Sequence, residues 1–225
     1  MSDFFTEGQQ AMQETAFDAW KMQHIKFIET PHGTGLAHAL AGLRETSPHV
    51  KTVHIDCLRK RSLRHISVVI LREAANVKFS NFSHLSVNID RLLLVVKQRM
   101  VADLKTQKVL LVIDHIDVLN NDQLHRLVQL LQFRKPPCGI LLRTTTAHRL
   151  KISIKAPELH DALYVTLTPE PPKMVAMMTK EERTIFIRDQ NEVSDAQFVK
   201  DLAKNNWGFS KVLGFIGRYK KKGGK

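Results

Sequence analysis

The 225-residue chain lacks the residue patterns that build a cross-linked, metal-bound or membrane-embedded protein. Its two cysteines, Cys57 and Cys138, lack C-x-x-C spacing, and its eleven histidines are scattered along the chain without ligand spacing. We therefore expect no disulfide scaffold, no metal site, and two buried, inert thiols. No apolar run approaches the roughly 20 residues that span a bilayer, and the N-terminus has neither a basic leader nor an apolar signal core. The sequence thus predicts a cytoplasmic protein without a membrane partner.

Negative charge is scarce, and the excess of positive charge is unevenly distributed. The net charge of +12 favours polyanions such as nucleic acid as partners. The excess is concentrated in a segment after the second predicted strand and in a C-terminal tail, GRYKKKGGK. We interpret the tail as a flexible solubilising end. The first segment contains Arg59, Lys60, Arg61, Arg64 and His65.

Strand and helix patterns alternate along most of the chain, which is typical of an α/β fold with a parallel sheet. The run KVLLVI at 108–113 is continuously apolar, as expected for a strand that is buried on both faces. The predicted strands are His24–Glu29, Val50–Asp56, Lys108–Ile113, Gly139–Arg143 and Leu163–Leu167. The predicted helices are Gly8–Gln23, Gly35–Arg44, Ser62–Ala75, Val87–Lys105 and Leu119–Gln132, with a polar loop at Asn76–Ser86.

Three prolines close together indicate a domain boundary near residue 170, because proline cannot continue a strand or helix interior. These are Pro169, Pro171 and Pro172. Residues 1–170 are predicted to form the α/β domain, including a leading helix. Residues 171–225 are predicted to contain no strand and to form a small helical lid, with helices at Ser194–Asn205 and Ser210–Tyr219 and a basic tail.

The segment Thr30–Ala37 reads as a phosphate-binding loop that has lost its chemically active positions. The intact pattern is G-x-x-x-x-G-K-[ST], in which the lysine reaches the phosphates and the hydroxyl binds magnesium. Gly33 and Gly35 retain the permissive turn, and the following helix directs its positive N-terminus at the loop. Leu36 and Ala37 stand where the lysine and the hydroxyl residue would be. Taken alone, the motif is also compatible with a chance G-T-G turn.

The order of these features resembles the AAA+ branch of P-loop ATPases. A phosphate loop follows the first strand, an apolar strand ends in Asp114, another ends in threonines, and a helical lid closes the chain. The resemblance implies a P-loop NTPase-like parallel sheet flanked by helices, with magnesium held by Asp114. It also implies a sensor residue at Thr144 and a second sensor at Lys211. The nucleotide-binding residues that it implies are Gly33, Thr34, Gly35, Asp114, Thr144 and Lys211.

Four positions depart from the family pattern, and together they argue against an active enzyme. Leu36 and Ala37 remove the charge and the metal ligand of the loop, His115 replaces the glutamate that activates water, and Lys211 replaces an arginine. We therefore assign no catalytic residue and expect ATP or ADP with magnesium to bind weakly or not at all. A weakly active ATPase that uses His115 as a base is a remaining alternative.

Within AAA+ proteins, the short length, leading helix and compact lid are most similar to the transposition-regulator class, the phage Mu B and TniB-type ATPases. Bacterial initiators, helicase loaders and archaeal origin-recognition proteins are the nearest competitors. The resemblance implies an oligomer on duplex DNA, either of identical subunits or mixed with another AAA+ protein, a transposase or a recombinase. It assigns backbone contacts to Arg59, Lys60, Arg61 and Arg64. The alternatives are a solvated basic face and a subunit of a mixed AAA+ complex that does not bind DNA.

Overall fold

A central parallel sheet organises the chain. The computed structural model describes residues 5–59, 61–77, 88–105, 107–168, 170–176, 178–191, 193–205 and 209–221. Within these residues, five parallel strands form one sheet in the order β2-β3-β4-β1-β5. The strands are β1 (Ile25–Glu29), β2 (Lys51–Asp56), β3 (Val109–Asp114), β4 (Gly139–Thr144) and β5 (Lys173–Met174).

Helices connect the strands and cover both faces of the sheet. They are α1 (Glu7–Met22), α2 (Leu36–Thr46), α3 (Leu63–Val69), α4 (Ile89–Arg99), α5 (Asn121–Leu131), α6 (Thr146–Lys155), α7 (Pro157–Asp161), α8 (Lys180–Ile185), α9 (Ala196–Lys204) and α10 (Phe209–Lys221). Wider helical turns extend α3 to Ala74, α4 to Leu104, α7 to Thr166 and α8 to Gln190. The chain is therefore an α/β protein with helices flanking a parallel sheet, as predicted.

The central strand β3 shows why the sheet is buried on both sides. Its side chains alternate between two cores, because successive residues of a strand point to opposite faces. Leu111 and Ile113 pack with residues of α3, α4, α5 and α7, whereas Leu110 and Val112 pack with residues of α1 and α2. All six residues of β3 are buried. The prediction from its continuous apolar run is confirmed.

The predicted strand at Leu163–Leu167 is wrong, because this stretch is helical. Residues Ala162–Thr166 form a helical turn that continues α7. Leu159, Leu163 and Leu167 are all buried in the larger core, and their four-residue spacing places them on one helical face. A short apolar run does not distinguish a buried strand from a buried helix by periodicity alone.

The prediction of no strand after the prolines is also wrong. Lys173 and Met174 form β5, which pairs in parallel with Ile28 and Glu29 of β1. A proline directly before a short edge strand is compatible with pairing, since the strand residues keep their own N–H groups. The two predicted helices of this region are confirmed as α9 and α10, and α8 precedes them.

The C-terminal helices have a hydrophobic core of their own. Its buried members, between residues 178 and 216, include Ile187, Val193, Leu202, Val212 and Ile216. Asp195 caps α9 by accepting hydrogen bonds from two backbone N–H groups. The division into domains at residue 170 stays a prediction.

Replacement of Gly139 by alanine is expected to destabilise the protein. A Cβ atom at Gly139 would lie 2.4 Å from Trp20 Cα and 2.6 Å from the Ala19 carbonyl oxygen, both of which are backbone atoms at the end of α1. We expect a loss of about 2 kcal/mol, measured by urea unfolding. The control is Gly214→Ala in α10, where nothing lies within 4 Å and alanine favours the helix. Equal unfolding midpoints for the two variants would contradict this account.

Candidate phosphate-loop site and basic segment

The loop between β1 and α2 has the backbone shape that its glycines predict. Gly33 and Gly35 adopt φ values of 82° and 87°, a left-handed conformation that side chains disfavour. Gly35 is the N-cap residue of α2, so the N-terminus of this 11-residue helix faces the loop. The scaffold of a phosphate-binding loop is thus present.

The two positions that carry the chemistry of an intact loop are used differently here. Leu36 is 3% exposed and packs in the core between the sheet, α1 and α2. Ala37 is exposed and offers only a methyl group. The loop therefore supplies neither a cation nor a hydroxyl ligand from these positions, in agreement with the reading of the sequence.

The predicted residue Asp114 lies at the carboxyl end of β3, where it is buried among cationic and histidine side chains. Its Oδ1 accepts hydrogen bonds from Arg143 Nη1 at 2.9 Å and His115 Nδ1 at 2.8 Å, and its Oδ2 lies 3.3 Å from His54 Nε2. Burial by itself would raise the pKa of Asp114. The hydrogen bonds from His115 and His54 and the charge of Arg143 together outweigh it and hold this pKa well below its ordinary value. Asp114 is a charged, fully engaged carboxylate.

Arg143, near the end of β4, is a central residue of this site that sequence reasoning did not assign to it. It is 3% exposed, and its Nη2 donates a hydrogen bond of 2.7 Å to the carbonyl oxygen of Pro31 in the loop. Strand β4 lies between β1 and β3, so one side chain reaches the loop on one side and Asp114 on the other. The available signal was a single arginine in the otherwise apolar strand GILLR.

His115 completes this cluster and is not placed as a free base. Its Nδ1 lies 2.8 Å from Asp114 Oδ1, and Arg143 Nη1 lies 2.9 Å from its Nε2 and 3.2 Å from its Nδ1. Its ring stacks on that of His32, with centroids 5.0 Å apart, and His32 Nε2 lies 3.1 Å from Asp117 Oδ2. Because both nitrogens of His115 are occupied, the geometry does not favour a water-activating role.

The remaining predicted site residues lie at or near the same edge of the sheet, with one exception. The Thr34 hydroxyl lies 2.9 Å from that of Thr30, inside the loop. The Thr144 hydroxyl is buried and lies 3.1 Å from His148 Nδ1. Lys211 is exposed near the start of α10, and the described contacts of the Asp114 cluster are made by other residues.

The residues present do not fit a nucleotide with magnesium. Pro31 has no N–H to offer a phosphate, and its carbonyl oxygen is bonded to Arg143. Both oxygens of Asp114 have protein partners, and Arg143 places a positive charge 2.9 Å from Oδ1, which disfavours a metal ion on this carboxylate. Over the described part of the chain, His, Cys, Asp and Glu side chains form no group that could hold a metal ion. Most polar groups of the cluster have partners within the protein, and the buried Nε of Arg143 is an exception.

The cysteines are as inert as predicted. Cys57 and Cys138 are free and buried, and burial raises the pKa of each thiol to about 12. Neither forms a reactive thiolate near neutral pH. Cys57 belongs to the turn after β2, and its backbone N–H donates to the carbonyl oxygen of Asp114.

The basic segment begins directly after β2, at the same edge of the sheet as the loop. The Arg59 side chain is 86% exposed and lies 3.7 Å from Asp56 Oδ2. Arg61 and Arg64 are exposed as well, whereas Lys60 lies outside the described residues. The segment is anchored, since the Arg61 carbonyl oxygen accepts a hydrogen bond from Gln123 Nε2 and Ser62 caps α3. Arg59, Arg61 and Arg64 are thus exposed charged side chains next to residues that contact α5 and α3.

Solved structures of similar fold are known. The chain matches Cdc6p of Pyrobaculum aerophilum with a TM-score of 0.62 and 17% identity, over 89% of this chain and 55% of that one. It matches domain III of the Thermotoga maritima replication initiation protein DnaA with a TM-score of 0.59 and 14% identity, over 97% and 87% of the two chains. For the ORC2 protein of Aeropyrum pernix, the TM-score is 0.55 at 11% identity, over 87% and 55%.

These likenesses define the class of fold. At these identities they show the fold alone, and the chain has the P-loop NTPase-like α/β fold of these structures. The chain spans little more than half of the ORC2 and Cdc6 chains. No protein-family model and no curated protein sequence matches it. None of the helices in the described residues is long and apolar enough to cross a membrane. A cytoplasmic location stays a prediction.

Replacement of Asp114 by asparagine is expected to destabilise the protein at neutral pH and to reduce its sensitivity to acid. The variant leaves Arg143 buried without a counter-charge, which costs on the order of 3 kcal/mol. Because the folded-state pKa of Asp114 is lowered, its contribution is complete above the ordinary carboxyl value of about 3.9 and is lost as pH falls below it. Urea unfolding between pH 7 and pH 2.5 should show the two proteins converging in stability.

A suitable control for this change is Asp122→Asn, since Asp122 is exposed and forms only a surface pair with Arg126. It should change the unfolding free energy little at any pH. A constant difference between wild type and Asp114→Asn across the pH range would contradict the assigned ionisation.

Proposed function

We propose that the protein is a DNA-associated AAA+-like regulator or assembly subunit that binds duplex DNA mainly through the phosphate backbone and does not hydrolyse ATP efficiently. The observation that carries the proposal is the basic segment on an anchored turn. Arg59, Arg61 and Arg64 are exposed there, at the edge of the sheet that carries the loop.

The chemistry of this segment suits contacts that do not depend on sequence. Guanidinium groups form charge-assisted, bidentate hydrogen bonds with phosphate oxygens. Such contacts release counterions and so make affinity steeply dependent on salt. Asp56 pairs with Arg59 at 3.7 Å, but because the Arg59 side chain is exposed to solvent, this pair neutralises its charge only weakly.

The narrower assignment, to the transposition or recombination type, rests on the sequence resemblance. Two of the similar structures are described as a replication initiation protein and a DNA replication initiation factor. These descriptions support an association with DNA without separating a replication role from a transposition role. We keep the transposition-regulator class as the proposal, with assembly into a homo-oligomer or with another AAA+ protein, a transposase or a recombinase.

A second candidate is a subunit of a mixed AAA+ complex that makes no DNA contact. It is favoured by helix α6, which exposes Leu150 (52%) and Ile154 (81%) one turn apart, beside the exposed Lys151 and Lys155. Large apolar side chains that share an exposed helix face are typical of protein contacts. Weak ATPase activity is the least favoured alternative, because His115 is fully engaged.

The DNA surface is tested by charge reversal. We expect Arg59→Glu with Arg61→Glu to lower affinity for a non-specific duplex strongly and to reduce the slope of log K against log salt by about two. Fluorescence anisotropy of a labelled duplex across a salt series measures both quantities.

The matched control is Arg134→Glu with Lys135→Glu, which reverses the same number of charges. Both residues are exposed and lie in the connection before β4, at the amino ends of the strands. The basic segment follows β2 and lies at the carboxyl ends, so the two pairs are on opposite sides of the sheet. Equal losses from both pairs would indicate a diffuse effect of net charge. Absence of wild-type binding at low salt would favour the mixed-complex subunit.

A further inference from the structure

The loop of this protein contains a cation from an unexpected place. An intact phosphate loop carries a lysine after its second glycine. Here the residue at that position, Leu36, belongs to the hydrophobic core, and the guanidinium of Arg143 reaches the loop from β4 instead. The loop therefore lacks the usual lysine after its second glycine, and a cation from β4, Arg143, contacts it instead.

We infer that Arg143 is a permanent internal cation of the phosphate loop, which bridges the loop to Asp114 and makes the conformation of this site independent of nucleotide. The bridge consists of the 2.7 Å bond to the Pro31 carbonyl oxygen and the 2.9 Å bond to Asp114 Oδ1. The bridge joins the segment after β1 to the segment after β3. In an intact site, a nucleotide and its magnesium ion would link these two segments.

The charge balance of the site supports this role. Arg143 and Asp114 are both buried and neutralise each other at short distance. A phosphate group would add negative charge beside Asp114, and a metal ion on Asp114 would place positive charge beside Arg143. Either ligand has to break the internal pair and leaves one buried charge beside a charge of the same sign. This repulsion is costly in a buried site, where the dielectric constant is low.

The cluster also reaches the basic segment. Asp56 Oδ1 lies 3.6 Å from His115 Nδ1 and accepts a hydrogen bond of 2.9 Å from the backbone N–H of Leu58, next to Arg59. The Arg143 bridge thus supports the turn that carries the arginines. If the proposed DNA binding holds, this contact predicts that DNA affinity is the same with and without nucleotide.

The Nε donor of Arg143 determines the choice of probe. It is buried and has no hydrogen-bond partner among the described residues. A small anion therefore has at least one unused guanidinium donor in the cluster. Inorganic pyrophosphate tests for such an anion site directly, alongside ATP and ADP with magnesium.

The first experiment measures thermal unfolding of the full chain with millimolar ATP, ADP or pyrophosphate, each with and without magnesium. The expected result is an unchanged unfolding midpoint with every probe. A saturable rise in midpoint that is lost in Arg143→Met would overturn the inference, because Arg143 would then be a ligand for phosphate. The unfolding midpoint does not depend on DNA. The inference about Arg143 can therefore be wrong while the proposed DNA binding is right, and the proposed DNA binding can be wrong while the inference about Arg143 is right.

The second experiment tests the bridge with a double-mutant cycle. Arg143→Met should lower the midpoint by several degrees, since it leaves Asp114 charged and buried. The pair Arg143→Met with Asp114→Asn should recover most of that loss, because no uncompensated charge remains. Arg143→Lys keeps the charge and should lose less than Arg143→Met. Recovery in the double variant is informative even if Arg143→Met alone does not fold.

The control is Arg72→Met, an exposed arginine whose partner is the neighbouring Glu73. Its midpoint should stay within about a degree of wild type, as expected for a surface pair. Additive losses in the double variant, or an Arg143→Met midpoint equal to that of Arg72→Met, would contradict the internal bridge.

Discussion

A buried arginine and a buried aspartate meet at the carboxyl edge of the parallel sheet, and the neighbouring segments are arranged around them. Arg143 comes from β4 and Asp114 from β3, and their charges are compensated at 2.9 Å. The loop after β1 is tied to the pair through Pro31, and the turn after β2 is tied to it through His115 and Asp56. Removal of either charged partner would expose the other to an apolar environment.

The Arg143–Asp114 pair changes how the loop after β1 is interpreted. Without the structure, the loss of the lysine and the hydroxyl residue leaves a defective version of a nucleotide site. With Arg143 in place, the loop has an internal cation, a buried Leu36 that stabilises the core, and hydroxyls that bond within the loop. The site is a structural junction whose main polar contacts are made within the protein, and the proposed DNA contact lies on the basic segment beside it.

Most of the fold could be predicted from the sequence because local patterns and tertiary packing agree there. The strand predicted from the apolar run of β3 and the helix predicted at Gly8–Gln23 are both confirmed, because each element also packs well in the core. The wrong predictions fall at segments where the local sequence pattern and the tertiary packing disagree. Leu163–Leu167 is apolar enough for a strand but packs as a helix, and Lys173–Met174 is too short and polar to resemble a strand but completes the edge of the sheet.

The sequence by itself determined the class of fold, the loss of the loop chemistry, the inert cysteines and the place where positive charge is concentrated. These properties depend on the type of each residue and on its neighbours in the sequence, and both can be read directly from the sequence. Only the tertiary structure decided what replaces the missing lysine. Arg143 is far from the loop in sequence and reaches Pro31 and Asp114 only because β4 lies between β1 and β3. Strand order is set by packing of the whole sheet, so no local pattern around Arg143 reveals its partners.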